Sequence, residues 1–125
     1  MISPEMFGEF VLPELRQSCK RLERSFYHLD GKGELPHLPQ LLEIEELDGI
    51  QWVPGAGNGT PLDWLDVYRM IAAADKKMWV GFDGDFDRLA RLIEAVGRPE
   101  LFEIHGSVPE TREAELRAFI ESFRR

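Results

Sequence analysis

The clearest regularity along the chain is an alternation between short β-rich runs and longer stretches whose apolar residues recur every three to four positions. The runs fall at 25–29, 49–53, 78–82 and 102–105, each rich in aromatic and β-branched residues and bounded by turn formers. A helical pattern follows each one. After the second run, Thr60-Pro61-Leu62-Asp63 supplies a cap with proline behind it, and Trp64, Leu65, Tyr68, Ile71 and Ala72 share one face. After the third, Phe86, Leu89, Ala90, Ile93 and Val96 form the stripe, closed by Gly97 with Pro99 beyond. After the last, Leu116, Phe119, Ile120 and Phe123 repeat at i, i+3, i+4, i+7. The helix after the first run, around Leu38, Leu41 and Leu42, is short and weak.

A helix without a preceding strand opens the chain. Ser3-Pro4-Glu5 provides an N-cap, a proline at the first helical position and an acid in the first turn. Phe7, Phe10, Val11, Leu15, Cys19 and Leu22 make its apolar stripe. Pro13 removes a backbone donor within it, so either a kink or two short helices meeting near residue 12 is expected. The organisation is a single domain over 1–125, with a helical segment at 1–23 and four strand-helix units at 24–125.

Alternating strands and helices predict an α/β protein with parallel strands and right-handed crossovers. Two architectures satisfy the pattern: an open doubly wound sheet, and an arc of a barrel with every helix outside. Periodicity does not choose between them. An arc would carry two edge strands and an uncovered concave face, which invites another chain to pair there, so a homo-oligomer or a missing N-terminal half is expected.

Composition narrows the function. The 125 residues are 43% hydrophobic, enough for a core, and 15 basic against 23 acidic side chains leave a formal charge of -8 that opposes binding to phosphate backbones. The single cysteine, Cys19, reads as core and has no second thiol for a disulfide or a CxxC metal site. The opening Met-Ile-Ser-Pro-Glu has no basic or apolar leader character, so a cytoplasmic protein is expected.

In parallel α/β folds the chemistry collects at the carboxyl ends of the strands. His28 and Asp30 lie two apart on the first strand and point to one side, a usable pair of metal ligands. His105, at the end of the last strand, completes a two-histidine, one-carboxylate set if the sheet curls enough. A flat sheet cannot do this, because three strand steps of about 4.8 Å span roughly 14 Å. The same residues also read as a turn feature, with Asp30 capping the loop backbone, or as proton carriers without metal. Gln51 is a polar residue in a strand that needs a partner, and a ligand would serve. Trp52 is a candidate for lining the same pocket, against the commoner role of core residue. Asp83 and Asp85 flank Gly84 at a helix start, where capping competes with substrate binding by Asp83. The loop Pro54-Gly55-Ala56-Gly57-Asn58-Gly59 reads as a flexible turn or an anion cradle, without the spacing of a P-loop. His37, between Pro36 and Pro39, is expected to face solvent.

At Phe26-Tyr27-His28-Leu29-Asp30-Gly31, Ile50-Gln51-Trp52-Val53-Pro54-Gly55 and Glu103-Ile104-His105-Gly106, the chain resembles the last four units of the uroporphyrinogen decarboxylase and corrinoid methyltransferase superfamily. The resemblance implies the C-terminal half of a (β/α)8 TIM barrel with its site at the strand tips. Methylcobamide:thiol methyltransferases of that superfamily hold zinc through a His-x-Cys pair and a second cysteine on the last strand. His28 matches the histidine, Asp30 stands at the first cysteine and His105 near the second. The resemblance thus implies zinc or another divalent metal on His28, Asp30 and His105, catalytic roles for His28 and His105, and a corrinoid carried by a partner protein. The harder ligands put thiol activation in doubt. The decarboxylases work without metal and also place a histidine before glycine on the last strand, but their arginine clamp and catalytic aspartate belong to an N-terminal half that this sequence lacks. A non-catalytic half-barrel acting only by oligomerising is the rival reading.

Overall fold

A computed structural model describes residues 2–123. The chain opens with helix α1, Pro4–Met6, whose cap is Ser3: its Oγ accepts from the amide of Met6 at 3.2 Å. Regular helix is interrupted just before Pro13, where two helical pieces meet at residue 12. The backbone widens into a π-helical segment, Phe7–Val11, in which the amide of Leu12 reaches the carbonyl of Phe7, and α2, Leu12–Lys20, continues from there. A π segment shifts the ladder by one residue, which accommodates the donor that proline lacks.

Four strands follow: β1, Phe26–Asp30; β2, Gly49–Val53; β3, Lys77–Gly81; and β4, Phe102–His105. Strands β1 and β3 are displaced by one residue from the runs read in the sequence. All neighbours are parallel and the order is β1-β2-β3-β4. A sequential order has no switch point, unlike a doubly wound sheet, where the strand order reverses. The helices between them are α3, Leu38–Leu42; α4, Leu65–Ala73; and α5, Phe86–Val96, and α6, Glu113–Ser122, ends the described chain.

The strand register sorts the side chains into two faces, because successive residues of a strand alternate. Leu29, Ile50, Trp52, Met78 and Val80 point to one face and are buried with Leu38, Leu41, Val67, Tyr68, Ile71, Leu89, Leu92 and Ile93 from the helices. Phe26, His28, Asp30, Gln51, Val53, Lys77, Trp79, Glu103 and His105 point to the other, where every one is half-buried or exposed. One face is therefore a core and the other is open. Among the open-face positions Gly49 is set apart: a Cβ there would stand 2.4 Å from the Phe26 ring and 2.6 Å from the carbonyl of Lys77. Only glycine lets that ring lie flat on the strand.

The open face is arched. Arg24, just before β1, reaches Glu103 of β4 with Nη2 3.0 Å from Oε1, passing over the two strands between them. In a flat sheet those elements stand about 14 Å apart, at the limit of two extended side chains.

The helix ends follow their local sequence. Thr60 and Asp63 form a reciprocal capping box before a 3-10 turn, Pro61–Trp64, which leads into α4. Asp85 caps α5 by accepting from the amide of Arg88 at 3.0 Å, and Gly97 ends it at φ 81, a left-handed position that suits glycine. Helix α6 departs from expectation: none of its residues is buried, and Ile120 of its apolar stripe is 46% exposed. His37 also departs, being 1% exposed and stacked on Phe7 with ring centroids 4.2 Å apart. Pro36 lies within a 3-10 turn, Lys32–His37, that ends with the imidazole against Phe7. Cys19 is buried, as expected. No helix among the described residues is long and apolar enough to cross a membrane.

Met78 is fully buried at the centre of the covered face. Met78→Ala is expected to lower unfolding free energy by about 2–5 kcal/mol, read from urea melts, because a close-packed site relaxes only partly around the cavity. Burial pushes the Tyr68 hydroxyl up to about 12. A raised folded value means the folded state holds the proton longer, so stability is constant at lower pH and falls as pH rises from about 10 towards 12. Tyr68→Phe should remove most of that alkaline loss in melts measured across this range, leaving the smaller part due to Tyr27, whose hydroxyl is also raised by burial and by the charge of Glu34.

Candidate functional site

Two small clusters of polar side chains occupy the open face. On β1 and β2, His28 and Gln51 are register partners, and the imidazole Nδ1 lies 2.8 Å from Gln51 Oε1. An amide oxygen only accepts, so this orientation assigns the proton to Nδ1 and leaves the Nε2 lone pair exposed. Asp30 Oδ2 stands 3.9 Å from that Nε2. At that separation the two groups are near neighbours and not hydrogen-bonded. Both side chains are more than half exposed, which weakens the attraction through screening.

The second cluster belongs to β3 and β4. Trp79 stacks on His105, with ring centroids 4.5 Å apart and planes 21° from parallel. Glu103 Oε2 lies 3.9 Å from His105 Nε2, while its Oε1 accepts from Arg24. These groups, with Phe26 and Gln51, line an open hollow of about 350 Å³. The lining combines two aromatic surfaces, one cation, one anion and two groups that both donate and accept, which suits a small polar molecule with a planar or apolar part.

His28, Asp30, Gln51 and His105 therefore share a face, as their spacing predicts. His28, Asp30 and His105 do not meet as one set, since His105 is engaged with Trp79 and Glu103. Among the described residues no group of three or more His, Cys, Asp or Glu side chains is placed to hold a metal ion. Trp52 does not join Gln51 in the hollow. As the next residue along the strand it points the opposite way, 4% exposed and edge-on to Trp64 at 5.2 Å. Asp83 lies in the loop after β3, where its carboxylate accepts from the amide of Asp85 at 3.0 Å and pairs with Arg88. The Asp85 carboxyl is held below its usual range, chiefly by the amide of Arg88. This is helix-start architecture, and neither aspartate lines the hollow.

The glycine-rich loop is closed on itself. Asn58 donates from its side chain to the Pro54 carbonyl at 2.9 Å, and Trp64 Nε1 donates to the Asn58 carbonyl at 2.8 Å. The amide of Thr60 is bonded to Asp63.

Trp79, Glu103 and Arg24 were not singled out as site residues in the sequence. The signal was present: Glu103 stands two residues before His105, and Trp79 alternates with the buried Met78 and Val80, which places both on the polar side. No protein-family model, no curated protein and no solved structure matches this chain.

The Gln51 contact yields a direct test. Replacing Gln51 by Leu removes the acceptor that fixes the ring proton on Nδ1, and His28 is expected to shift toward the Nε2–H tautomer preferred in water. The ring nitrogen chemical shifts of labelled protein, taken above the titration of imidazole, report the ratio. An unchanged tautomer in Gln51→Leu contradicts the assigned bond.

Proposed function

We propose that the chain is one half of a (β/α)8 barrel of the uroporphyrinogen decarboxylase type, which binds a small organic substrate on its open face and acts on it by proton transfer. The observation that carries this reading is the uncovered parallel sheet with ordered polar pairs on it. Parallel sheets are ordinarily covered on both faces and apolar throughout, and a face built of His28, Gln51, Trp79, Glu103 and His105 serves a ligand better than a core. His28 is the base, oriented by Gln51 and flanked by Asp30. His105, held in plane by Trp79, is the second hydrogen-bonding group, and Arg24 with Glu103 borders the hollow.

One observation favours a second reading, metal-assisted methyl transfer from a corrinoid on a partner protein. His28 and Asp30 stand together on one strand, as the first two ligands of such a centre would. Two donors do not hold zinc, which takes three or four, so this reading needs a third ligand from outside the cluster.

Two measurements separate these readings. Elemental analysis of purified protein, repeated on His28→Ala, is expected to find no stoichiometric metal; metal present in the wild type and lost in the variant would establish the second. Histidine ring spectra are then recorded against small mono- and dicarboxylates and thiols. At least one probe should move the signals of His28 and His105 and leave buried His37 unmoved. If no probe moves either exposed imidazole and no metal is found, the ligand site is withdrawn.

A further inference from the structure

We infer that the fork between the tips of β2 and β3 is a ligand seat, which takes a planar group bearing N–H donors, an amide or an amidine, on the carbonyl of Gly81. The inference rests on the open-face reading for the role of the imidazoles beside that seat, and its test reads Gly81 directly.

The register shows where the fork opens. Pairing of β1 with β2 runs to Asp30 and Val53, and pairing of β3 with β4 runs to Gly81 and His105, but β2 and β3 are paired only as far as Gln51 and Trp79. The cause lies in one residue. The amide of Gly31 donates to the Val53 carbonyl at 2.8 Å, and that of Phe82 to the His105 carbonyl at 2.7 Å. A residue in a parallel strand directs its N–H and C=O to one neighbouring strand, and the next residue directs them to the other. Val53 therefore faces β1 and Gly81 faces β2, with Pro54 opposite the Gly81 carbonyl. Proline has no amide hydrogen, so the next rung of the ladder cannot form and that carbonyl has no donor from β2.

Space stands over the same residue. Gly81 is exposed and lies two residues beyond Trp79, on the open side of β3. A Cβ built there meets nothing within 4 Å, and Gly81 is not among the glycines with positive φ, so neither its neighbours nor its backbone demand glycine. Glycine weakens a strand, and within one it marks a place where a ligand or another backbone comes close. The room exists because His105, the register partner of Gly81, lies back over Trp79 instead of over the tip. A void of about 20 Å³ touches the same glycine, bordered also by Pro61, Val80 and Phe82, and is large enough for about one water.

Acceptors set the chemistry of the seat. A carbonyl only accepts, and the His28 Nε2 lone pair is open in the orientation fixed by Gln51. The cations around the strand tips are engaged elsewhere: Arg24 is bonded to Glu103, Arg88 pairs with Asp83 and Asp85, and Lys32 stands 6.0 Å from the Trp64 ring centroid. Lys77 lies at the other end of β3, four residues and about 13 Å from Gly81. A ligand that satisfies the Gly81 carbonyl must therefore bring N–H groups of its own, and the wall made by Trp79 and His105 favours a flat one. An amide or amidine on an aromatic ring has both properties. A carboxylate of the same shape would set oxygen against oxygen.

The test uses the full chain, with amide and imidazole signals followed by NMR, benzamidine and benzamide as probes, and benzoate as the same shape without N–H donors. At least one of the two donors should move the Gly81 and Phe82 signals saturably, and benzoate should not. Gly81→Leu fills the seat and should abolish that binding. Pro54→Ala restores the missing donor, so the amide of residue 54 should exchange slowly and the probe should bind about tenfold more weakly, the worth of one hydrogen bond. The two changes act from opposite strands, so a variant that loses its wild-type circular dichroism spectrum leaves the other decisive. Probes that leave Gly81 unmoved, benzoate that binds there as well as they do, or unchanged binding in a folded variant overturns the inference. Carboxylates or thiols that move His28 and His105 while these probes leave Gly81 still would keep the open-face reading and remove the seat. A donor that moves Gly81 and neither imidazole would keep the seat and remove that reading.

Discussion

A parallel sheet covered on one side only is the constraint from which the other features follow. Its strands bury Leu29, Ile50, Trp52, Met78 and Val80 beneath the helices, and that face supplies the fold's apolar stabilisation. The opposite face cannot be apolar while it is exposed, and it cannot be wholly charged without pulling the strands towards solvent. The chain resolves this with paired groups: an imidazole bonded to an amide, a second imidazole stacked on an indole, and an arginine bonded to a glutamate across the arch. Each pair meets its own hydrogen-bonding needs in part and still presents unused valence outward. Apolar stabilisation and the ordered polar pairs therefore lie on opposite sides of the same four strands.

The covered face was readable because it rests on period and punctuation. The stripe from Phe86 to Val96, ended by Gly97, and the box of Thr60 with Asp63 fold locally as their residue types dictate, and parallel pairing follows from the spacing of the runs. The alternation within a strand is equally legible, and it conflicts with the expectation that Gln51 and Trp52 share one pocket. Two adjacent strand residues cannot both face a hollow on one side, so burial of Trp52 was implied by exposure of Gln51.

Other features depend on contacts that no local pattern encodes. His37 lies between two prolines, a setting that suggests solvent, and it is buried because the turn carries it beneath Phe7, thirty residues earlier in the chain. Pro13 marks where two helical pieces meet, but the form of the junction, a π-helical turn, is not encoded in it. The Arg24–Glu103 pair joins residues at the two ends of the sheet, and only the curvature of the intervening strands makes it possible. The stripe of α6 was correctly periodic, but periodicity tells that a face is apolar without telling what covers it.

The Phe26 ring resting on Gly49 ties the shape of the hollow to the backbone beneath it. It lies over the start of β2 beside the Lys77 carbonyl, and it borders the open hollow that Trp79, Glu103 and His105 also line. A larger side chain at position 49 would push that ring into the hollow, so a backbone requirement of β2 sets how much room the aromatic wall leaves.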